Sequence, residues 1–115
     1  MNIETLRKTC LGYPGTAEDV KWGSDLCFMV RKKMFCVTCL EPPFRVSFKV
    51  NKEQFDELVL REGIVPAPYL ARNHWVHVVS PASLNHKEWL FYLEQSYGII
   101  RSKLPKAMQA RISGK

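Results

Sequence analysis

The sequence predicts a two-layer α+β domain in which helices pack on one face of an antiparallel sheet. Two observations predict this class. Segments with helix-capping signals lie near both ends and in the middle of the chain, and runs of alternating apolar residues lie between them. Strands joined by short turns pair antiparallel, and helices cover the apolar face of such a sheet. The expected order of elements is α-β-β-β-α-β(β)-α.

The composition indicates one compact domain. The chain has 115 residues, of which 46% are hydrophobic and 24% charged, and its formal net charge is +6. A chain of this size buries roughly two-thirds of its unfolded surface, which is enough for a single core. We therefore expect one domain over residues 1–115. No apolar run approaches the ~20 residues that span a bilayer, and residues 1–11 lack the apolar stretch of a secretory signal. We expect a cytoplasmic protein with no membrane partner.

Three helices carry recognisable start signals. Their predicted N-caps are Asn2, Asn51 and Asn85. The first helix is expected to end at Gly12, and the second to run from Lys52 to Glu62. The third helix carries an apolar stripe that starts at Trp89, whose indole ring is expected to be buried. After it, Pro105 is expected to open a short terminal turn that continues to Ile112.

The strands are predicted from apolar alternation. They cover residues 26–30, 34–40, 44–50 and 75–79. The first two are expected to form a hairpin with a basic tip. Before them, Asp25 lies two residues after the dipeptide Trp22-Gly23 and is expected to close a turn through its side chain, with an acid or base role as the alternative. Residues 64–73 are expected to be irregular, because they contain Pro66 and Pro68.

The cysteines are predicted to be structural. The chain contains Cys10, Cys27, Cys36 and Cys39. The last two match the C-x-x-C spacing but lie on a predicted strand, where positions three apart face opposite ways. No second pair supplies further ligands at the usual zinc spacing. We expect reduced, buried or half-buried thiols and no metal or cofactor, with a metal site and a redox pair as the alternatives.

Six cations are candidates for contacts with nucleic-acid phosphates. They are Arg31, Lys32 and Lys33 at the hairpin tip, Arg45 and Lys49 on the polar face of one strand, and Arg72 beside the Pro-rich loop. Long cations on a rigid ribbon can reach successive phosphates without reading bases. The alternative is that the tip serves solubility and that the strand face is simply solvated.

The Pro-rich loop is a second candidate binding element. Its recognition candidates are Pro66, Pro68, Tyr69 and His74. Loops with a fixed backbone and an exposed aromatic ring suit recognition. We expect a rigid loop whose tyrosine packs against the sheet, with the binding surface as the alternative. No catalytic residue is expected, because the three histidines are spread over loop, strand and helix start.

Several segments resemble one known family. They are residues 20–30 (VKWGSDLCFMV), 33–35 (KMF), 63–72 (GIVPAPYLAR), 75–76 (WV) and 96–97 (SY), followed by Leu104. In this order and spacing the set resembles the MmcQ/YjbR family. The resemblance implies an α+β fold related to the CyaY-like and secretion-chaperone arrangements. It also implies DNA binding through two protruding loops, described as a double wing, and it brings no catalytic residues.

The first hairpin turn departs from the family pattern. Members often carry glycines there, whereas this chain has Arg31 and Lys32, which leaves open a longer or differently shaped turn. We expect a non-enzymatic protein that binds DNA through basic loops, with little sequence specificity. The alternative is a protein-interaction or chaperone-like module that uses the open sheet face or the Pro-rich loop. The net charge of +6 favours a polyanion.

Overall fold

A six-stranded antiparallel sheet carries the helices in the computed structural model, which describes residues 1–112. The helices are α1 (Ile3–Leu11), α2 (Lys52–Leu58), α3 (His86–Ser102) and α4 (Lys106–Arg111). The strands are β1 (Thr16–Lys21), β2 (Asp25–Val30), β3 (Lys33–Cys39), β4 (Val46–Lys49), β5 (Ile64–Pro66) and β6 (Trp75–Val78). The strand order is β1-β2-β3-β4-β6-β5, and every neighbouring pair is antiparallel. The predicted α+β class with helices on a sheet is confirmed.

The predicted N-caps also hold. The side chain of Asn2 accepts a hydrogen bond from a first-turn amide of α1. Asn51 and Asn85 form capping boxes with Gln54 and Glu88, respectively. Each cap satisfies amides that the helix leaves without partners, which stabilises a helix by about 1 kcal/mol.

Helix α2 is shorter than predicted and ends at Leu58 instead of Glu62. The amide of Val59 still donates four residues back, but those of Leu60 and Arg61 donate only three residues back, so the chain tightens into turns. The guanidinium of Arg61 then pairs with Glu88 of α3 at 2.7 Å. This tertiary contact holds the turn where the helical pattern alone predicts another turn of α-helix.

Two edge strands were missed. β1 contains Glu18, Asp19 and Lys21 and has no apolar alternation, because an edge strand that is largely exposed can carry charges. β5 was predicted to be irregular on account of its proline. Pro66 is tolerated there because β5 has only one neighbouring strand, and an edge strand does not need every amide for the ladder.

One face of the sheet packs against the helices and forms the core. Alternate residues of β2 and β4, such as Phe28 and Phe48, are fully buried in it. Trp89 of α3 packs edge-on against Phe48 and is 1% exposed. Its indole nitrogen donates to the carbonyl of Pro81 at 3.0 Å, so the buried ring leaves no polar atom without a partner. The predicted burial of Trp89 is confirmed.

The four cysteines are free thiols, three of them buried and Cys39 half-buried. This placement agrees with the structural role that the strand pattern predicts. Burial raises the pKa of the Cys27 and Cys36 thiols, so both are less nucleophilic than an exposed cysteine. Within residues 1–112, no cluster of three or more His, Cys, Asp or Glu side chains is arranged to hold a metal. None of the described helices is both long and apolar enough to cross a membrane.

Candidate functional site

The hairpin between β2 and β3 has a tight, basic tip. Val30 pairs with Lys33, so the turn consists of Arg31 and Lys32 alone, with φ values of 50° and 69°. Left-handed backbone at both positions is the geometry of a type I′ turn, which matches the twist of the two strands. The turn is therefore not lengthened by the loss of glycine. The two side chains instead impose a conformational cost of roughly 1 to 2 kcal/mol per residue.

The tip carries positive charge, and none of its cations forms an ion pair with another described residue. Arg31, Lys32 and Lys33 are all exposed. The ion pairs among residues 1–112 are Arg7–Glu18, Lys21–Asp19, Lys52–Asp56 and Arg61–Glu88. None of them includes a cation of the tip. Three neighbouring charges therefore remain available to an anionic ligand.

The predicted stripe of Arg45 and Lys49 does not form. Lys49 is only 7% exposed, and its ammonium group donates to the backbone carbonyl of Asn73. Burial, followed by the nearby charge of Lys103, lowers the pKa of Lys49. The assignment of Lys49 to phosphate contact was wrong, because that end of the polar face is closed by the chain that precedes β6.

Arg45 remains partly accessible. Its side chain is half-buried, and one guanidinium nitrogen donates to the carbonyl of Pro43 at 2.8 Å. A guanidinium has five N–H donors, so this bond leaves others for a ligand. Arg72 is exposed in a short 3-10 turn (Ala71–Asn73) between β5 and β6.

The Pro-rich loop divides into two parts. Pro68 and Tyr69 lie beside the sheet face that the helices do not cover. Tyr69 is fully exposed and has a φ of 66°, so the expectation that this ring packs against the sheet was wrong. Pro66 belongs to β5, and the ring of His74 lies against Phe55 of α2, with centroids 5.8 Å apart. His74 therefore does not join the other recognition candidates.

The uncovered face of the sheet contains a groove of about 560 Å³. Residues of β3 and β4, among them Val37 and Ser47, line it together with His77 of β6. Trp22 from the β1–β2 turn and Tyr69 from the Pro-rich loop line it as well. Sequence reasoning did not find this groove, because it forms from five separate segments. The one available signal was an aromatic residue before glycine in a turn, at Trp22-Gly23.

The groove also contains polar side chains that can form hydrogen bonds. The hydroxyl of Ser47 lies 2.7 Å from Nδ1 of His77. Burial, and to a lesser extent the charge of Arg45, lowers the pKa of His77, so the imidazole is neutral at pH 7. Asp25 also lines the groove. Its side chain makes no hydrogen bond to the Trp22-Gly23 turn within the described chain, so the turn-closing role predicted for it was wrong.

Comparison with known families identifies the chain. A family model described as YjbR matches residues 11–99. The chain belongs to the YjbR family. The resemblance read from the sequence segments is thereby confirmed, and the groove and the first hairpin both lie within the matched YjbR region.

Two solved structures are similar to this YjbR protein. The crystal structure of Deinococcus radiodurans protein DR2400, which carries the family-model domain DUF419, matches with a TM-score of 0.86 and 26% identity, covering 95% of this chain and 86% of that one. A protein from Pseudomonas syringae matches with a TM-score of 0.72 and 20% identity, covering 87% of this chain and 99% of that one, and shows the fold alone. A comparison with curated proteins finds no match.

Proposed function

We propose that this YjbR-family protein binds nucleic acid by phosphate contacts from its basic hairpin tip, with little sequence specificity. The observation that carries the proposal is the exposure of Arg31, Lys32 and Lys33, without ion-pair partners among the described residues, at the end of a tight hairpin. Each cation that neutralises a phosphate releases condensed counterions, which supplies affinity without base reading.

The hairpin suits this role because it is held on both sides. β2 pairs with β1 along its whole length up to Val30, whereas β3 pairs with β4 only from Cys36 to Thr38, so the ribbon is held beside the tip by β1 and at its base by β4. A two-residue turn leaves the tip little freedom, and cations presented by an ordered backbone lose less entropy on binding. Arg45 and Arg72 can add contacts, whereas Lys49 cannot.

The test compares two variants of equal net charge. Arg31, Lys32 and Lys33 are changed to Ala in one, and Lys8, Lys87 and Lys106, which are also exposed and outside every described ion pair, are changed to Ala in the other. Affinity for several unrelated DNA duplexes is measured by fluorescence anisotropy at ~50 mM salt. We expect the tip variant to lose at least about tenfold, equally for all sequences, and the control to lose much less.

Two results would contradict the proposal. Equal losses of DNA affinity in both variants would mean that binding depends on the net charge of the protein and not on the position of the cations at the tip. No binding of nucleic acid at micromolar protein concentration would contradict the proposed function as a whole.

Binding of a protein segment is the second candidate function, because the groove offers an apolar surface with two exposed aromatic rings.

A further inference from the structure

We infer that the groove on the uncovered sheet face binds unstacked bases of a single strand whose phosphates reach the basic hairpin tip. This inference rests on the proposed function and specifies its ligand. It predicts that single strands bind more tightly than duplexes of the same length, because paired bases stack on each other inside a duplex and cannot offer their faces to protein rings.

The first support is the state of two aromatic residues. Trp22 is 71% exposed and Tyr69 fully exposed, whereas Trp75 and Trp89 are 5% and 1% exposed. Both exposed residues also have left-handed backbone, with φ values of 53° and 66°. Such a conformation is energetically unfavourable for a bulky residue. Two loops far apart in sequence therefore hold strained aromatic residues outward at one groove.

The second support is the chemistry of the groove. Met34 and Val37 give it an apolar surface on which the flat face of a base can lie. The Nδ1 atom of His77 is paired with the hydroxyl of Ser47, which leaves Nε2 of this half-buried imidazole for a hydrogen bond to a base edge. Arg45 lines the same groove and keeps N–H donors for a phosphate. A stacking surface and a cation are the two components of non-specific single-strand sites, and a group that meets a base edge adds a hydrogen bond.

The third support is the direction of the groove, which runs along β3 towards the hairpin tip. The groove follows β3, from Cys39 beside the Trp22 turn to Met34, which is next to Lys33 of the tip. At about 3.3 Å per residue, the five steps from Cys39 to Met34 are about 17 Å long. A single strand stacked on Trp22 and Tyr69 can therefore continue along β3 to the uncompensated charges. A protein segment would use the same rings, but the tip cations favour a ligand with regularly spaced negative charge.

The experiment uses tryptophan fluorescence of the full chain, because Trp22 is the exposed one of its three tryptophans. The protein is titrated with a thymidine oligonucleotide of about 12 nucleotides and with a duplex of equal length. We expect the single strand to quench the solvent-exposed emission and to bind more tightly than the duplex.

The variants are Trp22→Asn and Tyr69→Asn, because asparagine tolerates left-handed backbone and keeps both loops folded. Each is expected to weaken single-strand binding about 5- to 150-fold, since it removes a stacking surface for one base. Duplex binding should change by less than about twofold. Phe91→Ala, which removes a 57% exposed ring from α3, is the matched control and should leave both affinities unchanged.

The outcomes separate this inference from the proposed function. If nucleic acid binds but the single strand does not quench Trp22 and both Asn variants bind as the parent does, the groove inference is wrong and the phosphate contacts stand. If neither nucleic acid binds, both are wrong. If a random copolymer of glutamate and tyrosine quenches the Trp22 fluorescence and the oligonucleotide does not, the inference is overturned in favour of a protein ligand.

Discussion

The hydroxyl of Ser96 in α3 donates a hydrogen bond to the backbone carbonyl of Phe35 in β3 at 2.6 Å. The same oxygen accepts the backbone amide of Lys49 in β4 at 3.0 Å. The β3–β4 ladder runs only from Cys36 to Thr38, so Ser96 bridges the two strands one residue beyond their last pair. Helix α3 is thereby fixed to the sheet two residues from Lys33, at the base of the basic tip.

Ser96→Ala should destabilise the fold. The change leaves a buried carbonyl and a buried amide without partners, which costs about 1 to 3 kcal/mol for each unsatisfied group. The free energy of unfolding is measured by urea titration. Ser102→Ala on the same helix is the control and should cost less than about 0.5 kcal/mol, because that hydroxyl is exposed. Equal costs would show that the Ser96 bridge contributes nothing.

Trp89→Ala should remove a large part of the stability of the domain. The ring is fully buried between sheet and helix, and its loss leaves a cavity in the core, so we expect a cost of about 3 to 5 kcal/mol in denaturant unfolding. Trp89→Phe should cost less, because it keeps most of the volume. A cost below about 1 kcal/mol for the alanine variant would place Trp89 outside the core.

Substitutions at Arg31 and Lys32 can relieve the backbone strain of the hairpin turn while they remove its charge. Arg31→Asn with Lys32→Gly introduces residues that adopt left-handed backbone readily. The free energy of unfolding, measured by thermal denaturation, should therefore rise by about 1 kcal/mol or more. Arg31→Gln with Lys32→Gln removes the same charge without that relief. Both doubles should weaken nucleic-acid binding, and only the first should raise the Tm. Equal Tm values would contradict the strained turn.

Stability should fall as the pH is lowered through the titration of His77. Its pKa is lowered in the folded protein from a value of 6.5, so the unfolded chain binds the proton first. The stabilisation is complete above about pH 6.5 and is lost as the pH falls through the folded pKa. His77→Gln should make the decline between about pH 7 and pH 5 shallower in urea titrations. An unchanged decline would mean that other groups cause it.

The sequence predicted the elements whose signals are local. Asn2, Asn51 and Asn85 lie directly before their helices, and the caps require only short-range geometry. The alternation of Val46 and Phe48 likewise assigned the core face of β4 correctly. In each case the residues that carry the signal are the residues that make the contact.

The features that the sequence did not predict depend on tertiary contacts between distant segments. Lys49 lies on the polar face of its strand, as the alternation requires, yet the chain before β6 covers it. β1 carries charges because it is an edge strand, which only the finished sheet shows. The groove unites Trp22 and Tyr69, which are 47 positions apart in the numbering, and no local pattern predicts that they meet.

The salt dependence of DNA binding tests the central claim most directly. If about four phosphates are neutralised, log K should fall against log salt concentration with a slope of about −3.6, which is roughly a 150-fold loss between ~50 and ~200 mM salt. Changing Arg31, Lys32 and Lys33 together to Ala should bring the slope to about −0.9, because three of those contacts are removed. A slope near zero in the parent protein, or an unchanged slope in the variant, would contradict phosphate binding by the hairpin tip.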